Sequence, residues 1–416
     1  MQPTAPTHEA RPKIAIVARA AIADDPRPRR QGDAFATAGW DVVGIGLPGG
    51  RAPPPDWPVV DRAAGSSRPQ PPAAGPAARL GRALRYLLVR IIPALAIRFY
   101  RSLSPESAHL YACGRTVRAA IWLANDWDTL PVAARLAAEQ GGVYGYDANE
   151  LAGEEFSDRR RWRLFNRPFV RAIEAGFIGT AAVVSAESPG IAAQLTEVHR
   201  LPRPALAIRN TPSYEAHRAR PTGPIIEVLY HGKLVALRGL EQTIDSVASW
   251  RPEFRLTLRG PGEPAYVEAL RRRAAAAGVT ERVRFAAPVP LTELVAVASD
   301  SDIGLFALPG SSLHHRLCLP NKVFEYIMAA LCLCVSDLPE MGRLVRQHDV
   351  GRTFPAVEAG VIAAAINGFD RESIDRCKTN AAVAARSLCW ERESEALVAA
   401  YRGVLGVDGR RRSGLE

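Results

Sequence analysis

Apolar residues fall along this chain in short, nearly unbroken runs, separated by longer segments with helical spacing. From Lys13 the run Lys-Ile-Ala-Ile-Val-Ala leads through polar residues to a helical stretch near Arg30 to Ala38. Gly39 then stops the helix and a second run extends from Trp40 to Ile45, which predicts a βαβ unit. Similar runs at Ala119 to Ala124, Val143 to Tyr146, Ala181 to Ser185 and Ala205 to Ile208 predict further buried strands. Strands without polar alternation belong to a parallel sheet covered by helices on both faces.

The pattern breaks from Asn210 to Pro224, a polar, Pro-containing segment that reads as a linker. It restarts with strands at Ile226 to Tyr230, Arg255 to Leu258, Val283 to Phe285, Ile303 to Phe306 and Leu333 to Val335. Helical stretches near Leu240 to Ser249, Tyr266 to Ala277, Leu291 to Ala298 and Asn321 to Ala330 separate them, and a last helix covers about Glu391 to Leu405. The expected fold class is α/β, with two doubly wound parallel-sheet domains in tandem. They are expected over 1–209 and 225–389, joined by 210–224, with a polar tail from 408 to 416. Their ligand is expected in a cleft, at the C-terminal ends of the strands.

Two segments of the first half differ in kind. Residues Ala52 to Pro76 carry eight prolines and predict a surface loop over about 52–78. The stretch Arg79 to Arg101 then mixes Leu, Ile, Val and aromatic residues with six arginines. It reads either as a helix lying in an anionic membrane interface or as an ordinary helix covering the sheet with snorkelling arginines. The longest apolar run, Tyr86 to Ile97, is interrupted by Arg90 and Pro93 and falls short of the roughly 20 residues that span a bilayer.

Composition narrows the classes. The chain has 416 residues, 47% hydrophobic and 23% charged, enough for sizeable cores. Its 53 basic and 43 acidic residues leave a net charge of +10, which favours anionic partners. The arginines are dispersed rather than interleaved with aromatics on one face, so nucleic acid is not expected. Six cysteines show no CxxC or zinc spacing; Cys332 and Cys334 read as buried strand thiols, and a reducing compartment is expected. Met1 to Arg11 lacks the apolar core of a secretory signal, which predicts a cytoplasmic protein.

No GxGxxG follows the first strand, and neither a GxxxxGK[ST] loop nor a GxSxG elbow occurs. The second half offers other chemistry. His231-Gly232-Lys233 ends its first strand, and Arg238-Gly239 precedes the helix from Leu240, two cations placed to clamp a diphosphate. Leu319-Pro320-Asn321-Lys322-Val323-Phe324-Glu325-Tyr326 opens another helix, with Lys322 and Glu325 on one face. A carboxylate there can accept two hydrogen bonds from a vicinal diol while Lys322 attracts phosphate oxygens. A solvated basic loop and an exposed i,i+3 ion pair are the plainer readings.

These segments, with Leu256-Thr-Leu-Arg-Gly-Pro-Gly262, Ser301-Asp302-Ile-Gly-Leu-Phe306 and Val335-Ser-Asp-Leu-Pro-Glu340, resemble family 4 of the GT-B glycosyltransferases, retaining enzymes that use sugar nucleotides. The first half resembles it through Asp25-Pro-Arg27, Asn125-Asp126, Asp147-Ala-Asn-Glu150 and Arg209-Asn210, and the end, 390–407, is similar to the family's helix that crosses back onto the first domain. The resemblance implies that Lys233 and Arg238 are catalytic cations on the donor diphosphate and that Glu325 holds the nucleotide ribose. Gly232, Gly260, Gly262, Asn321 and Lys322 would complete the donor site, with Val289 near the base. It implies no cofactor and no metal, the sugar nucleotide being a substrate.

Two departures stand out. Leu317 occupies the place of the family's second Glu, and Leu123 that of a His often found at the strand end. Asp126, Asp147 and Glu150 are candidates for the acceptor side. The expected function is sugar transfer from a nucleoside-diphosphate-sugar to a glycan, lipid-linked or small-molecule acceptor, in cell-envelope glycan or glycolipid synthesis at the inner face of the membrane. A nucleotide-sugar epimerase on the same fold and an inactive nucleotide-binding homologue are the alternatives.

Overall fold

A computed structural model describes residues 11–62 and 75–406. The N-terminal ten residues, the middle of the Pro-rich segment and the polar tail lie outside the described residues. The chain divides into two units: 1–187 with 191–208 and 394–416, and 188–190 with 209–393.

The first unit holds a seven-stranded sheet of Lys13–Val17 (β1), Asp41–Ile45 (β2), Val59–Val60 (β3), Ile121–Asn125 (β4), Val143–Ala148 (β5), Val183–Ala186 (β6) and Leu206–Ala207 (β7). Their order is β3-β2-β1-β4-β5-β6-β7 and every pairing is parallel. Ile14 pairs with Val42 on one side and Ile121 on the other, all buried, as the unbroken apolar runs require. The first helix, Pro26–Thr37, begins four residues before its expected start. Asp25 accepts a hydrogen bond from the Arg27 amide at 3.2 Å and Pro26 takes the first turn, where its missing N–H costs nothing.

The Pro-rich segment is not wholly a surface loop. Trp57 is buried against Gly32 and Gly44, where any Cβ would collide with its ring, and its indole donates to Asp33 at 2.8 Å. Anchored in this way, the chain adds β3 to the sheet edge beyond β2, and a helix already starts at Pro76. The basic apolar stretch forms two helices, Pro76–Ile91 and Leu95–Leu103, broken around Pro93.

The second unit holds Ile226–His231 (β8), Phe254–Arg259 (β9), Val283–Ala286 (β10), Ile303–Phe306 (β11), Cys332–Ser336 (β12) and Gly351–Phe354 (β13), in the order β10-β9-β8-β11-β12-β13. This sheet too is parallel throughout. The six cysteines are free and buried. Residues 210–224, expected as a linker, are tied to this unit. Pro212 accepts from the Trp390 amide at 2.8 Å, and Thr222 donates its hydroxyl to Asp375 at 2.6 Å.

The last helix, Trp390–Leu405, starts in the second unit and continues in the first. There Tyr401 is fully buried, edge-on to Phe35 at 5.4 Å, and covers Gly145, where a Cβ would overlap its hydroxyl. Among the described residues no helix is long and apolar enough to cross a membrane.

Candidate functional site

In the second unit the winding reverses between β8, which continues to β9 and β10 on one side, and β11 on the other. Such a switch point leaves a crevice at the C-terminal strand ends. β8 enters it through Gly232, with φ at 118°, and Gly260, with φ at 145°, follows β9. A Cβ on Gly260 would overlap the Gly232 carbonyl, and one on Gly232 would lie 2.5 Å from Lys322 Cε, so both glycines are required by close approach as well as by φ. Leu234 pairs with Gly262 in a parallel bridge, its amide donating to Pro261 at 2.8 Å.

Against this backbone three cations converge. Lys233 is exposed and Arg238 half-buried on the loop after β8, whereas Lys322 rises from the first turn of Asn321–Met328. Pro320 is the N-cap of that helix rather than within its first turn. The Lys322 ammonium sits 5.2 Å from the Phe306 ring centroid and 5.8 Å from that of Tyr230. Burial pulls its pKa down to about 8; Glu325 opposes the shift, while Arg238 and Lys233 add to it. The helix after Gly239, Leu240–Ser246, has only seven residues, so side-chain charge carries most of the attraction for an anion here.

Glu325 is nearly buried and its Oε2 lies 2.8 Å from His231 Nε2, close enough for an ion pair but off the line of a hydrogen bond. The His231 ring packs on Tyr326 at 4.7 Å, and its backbone amide donates to the Tyr326 hydroxyl oxygen at 3.2 Å. His231 therefore positions the carboxylate, a role the sequence signalled only as a His ending the strand. His314 is also buried, near Arg238; burial first, then His315 and Arg238, push its pKa down to about 3 and keep it neutral.

The remaining expected residues are spread along the same sheet edge. Asn321 opens its helix beside Lys322, and Val289 is half-buried in the loop after β10. Leu317 is half-buried, and its carbonyl accepts from the Ser188 hydroxyl at 2.6 Å. Asp302 lies at the opposite edge, where it accepts from Lys378 at 2.9 Å and from the Glu227 amide at 2.9 Å, a structural tie.

The first unit reverses between β1 and β4. Asp126, after β4, has φ at 66°, and burial with Asp128, Glu150 and Asp147 nearby raises its pKa well above the usual carboxylate range. Burial lifts Asp128 to about 6 despite its ion pair with Arg19, and lifts Glu155 to about 8 with help from Glu150. Asn125 is buried with neither amide atom hydrogen-bonded. A cavity of about 420 Å³ lies beside Arg19, Asp24 and Leu47. Asp147 is excluded as an acceptor ligand: it is fully buried and its oxygens are taken by Arg27 at 2.5 and 2.8 Å, Gln31 at 2.8 Å and Ser185 at 2.5 Å.

Residues 226–369 match the family described as Glycosyl transferases group 1. That match covers the second sheet and the cation cluster. In structure, sucrose-phosphate synthase from Thermosynechococcus elongatus is similar over 95% of this chain and 100% of its own, with TM-score 0.70 and 16% identity. Trehalose 6-phosphate synthase from Burkholderia multivorans aligns over 97% and 100%, with TM-score 0.65 and 13% identity. Anabaena HepE, in a complex with UDP and glucose, aligns over 94% and 99%, with TM-score 0.65 and 13% identity. The fold is thus that of the GT-B glycosyltransferases, two parallel-sheet α/β domains. No curated protein matches the chain by sequence. Among the described residues no group of three or more His, Cys, Asp or Glu side chains is arranged to hold a metal ion.

Proposed function

We propose that this chain is a family 4 glycosyltransferase that takes a sugar from a nucleoside-diphosphate donor and transfers it with retention. The observation that carries the reading is the grouping of Lys233, Arg238 and Lys322 around the switch point between β8 and β11, with Glu325 three residues from Lys322. Lys233 and Arg238 take the diphosphate, and their preorganised charge stabilises the leaving group as the sugar–phosphate bond breaks. Glu325 accepts from the ribose hydroxyls, with His231 fixing its position. Leu317 presents an apolar surface where a carboxylate would otherwise meet the sugar, so the donor sugar is recognised by other groups.

UDP is the first nucleotide to test, because HepE, of the same fold, has been solved with it. A nucleoside diphosphate at a hundredfold excess over its Kd stabilises a folded protein by about 2.7 kcal/mol, a rise of several degrees in Tm. Thermal shift against UDP, GDP and ADP should single out one base. If none of the three raises the Tm, the donor site is wrongly assigned. The acceptor falls to the first domain, where Asp126 and Glu150 remain as ligands, in the synthesis of a cell-envelope glycan or glycolipid on the cytoplasmic side.

A further inference from the structure

The helix Pro76–Ile91 shows an outer face that nothing in the described chain covers. Leu80, Leu84, Leu87 and Ile91 recur at spacings of four, three and four, which places them in one stripe. Their exposures are 73%, 55%, 43% and 75%, and beyond the helix end Ile92 and Ile97 are 49% and 54% exposed. The opposite side is firmly seated: Val89 is fully buried, and Tyr86 packs edge-on to Phe169 at 5.7 Å. The stripe is therefore a surface of a fixed helix rather than of a frayed one. The adjoining Trp162–Asn166 turn adds Leu164, 45% exposed.

Along this helical stretch the charge has one sign. Between Gly75 and Pro105 there are six arginines and no aspartate or glutamate. Arg79, Arg82, Arg90, Arg98 and Arg101 are exposed, as are Arg160, Arg161 and Arg163 beside Leu164. A partner protein buried against so many leucines and isoleucines would need matching acids at every arginine. A lipid surface supplies both halves at once: acyl chains for the stripe and mobile anionic headgroups for the guanidinium groups around it.

We propose that this face docks the protein on an anionic phospholipid bilayer, lying in the interface with Leu80, Leu84, Leu87 and Ile91 toward the acyl chains. The docking needs no sugar nucleotide and stands apart from the sugar-transfer reading. Full-length protein should float with vesicles of phosphatidylglycerol mixed into phosphatidylcholine and stay behind with phosphatidylcholine alone, and added salt should release it. Reversing the two charges nearest the stripe, Arg79→Glu and Arg90→Glu, should lower partitioning by at least about tenfold. Leu84→Ser with Ile91→Ser should lower it by at least about tenfold, with circular dichroism unchanged because both side chains are exposed.

Three results would overturn the proposal: no flotation with the anionic vesicles; flotation unaffected by either set of substitutions; or sedimentation equilibrium showing a dimer that the Leu84→Ser, Ile91→Ser variant dissociates, which would assign the stripe to a second copy of the chain.

Discussion

At the switch between β8 and β11 the second domain gathers Lys233, Arg238 and Lys322 about one carboxylate, whereas the first domain, between β1 and β4, gathers Asp126, Asp128, Glu150 and Glu155 near Arg19. The sheets are wound alike, yet one edge gathers cations and the other gathers acids. The difference lies in the loops and helix starts that follow the strands, as expected where sites are grafted on a shared scaffold. Asp126 and Glu155, whose pKa values burial and neighbouring acids raise, suit a hydroxyl-bearing partner, as hydrogen-bond donors or as a base near neutral pH.

The comparison can be broken from either side. The largest effect is expected at Asp147, a fully buried carboxylate of the first domain with both oxygens paired. Asp147→Ala leaves Arg27 charged and buried, and should cost about 3–5 kcal/mol, read as a fall in Tm or in the denaturation midpoint. Next comes Arg238→Ala, which should lower kcat for nucleoside diphosphate release from a sugar nucleotide by about 10²–10³ without altering Tm, since Arg238 is half-exposed.

Lys322 sharpens the contrast through pH. Its amine is charged below about 8 and neutral above, so diphosphate affinity should fall as pH rises through 8. Lys322→Gln should remove that dependence, a change of about tenfold or less by titration calorimetry between pH 7 and 9. The smallest effect falls on Glu155. Its folded pKa of about 8 exceeds its ordinary value, so between roughly pH 4.5 and 8 the folded state keeps a proton that the unfolded chain has released. Stability should therefore decline with rising pH over that window and level off above it. Glu155→Gln should flatten the decline, raising Tm at pH 8 by about 3 °C relative to wild type.

Much of the architecture could be read from local pattern, because buried parallel strands announce themselves as apolar runs. Gly351-Arg-Thr-Phe offers no such run, and β13 escaped notice. Trp57 was obscured by prolines: its place depends on notches at Gly32 and Gly44, made by residues remote in the chain. The same distance hides polar partners. Glu325 and Lys322 are three apart and visible as a pair, but His231 meets Glu325 only across the fold. Asp147 is likewise occupied by Arg27, 120 residues earlier in the chain, a pairing that local sequence does not signal.

Tyr401 carries a consequence for how the molecule is made. The side chain that covers Gly145 and meets Phe35 comes from beyond the second domain in the chain. On the ribosome, the N-terminal half emerges long before the segment that seals it, and must wait with that seam open until the entire second half has been translated. C-terminal truncation before Tyr401 should therefore expose the domain synthesised first to proteases.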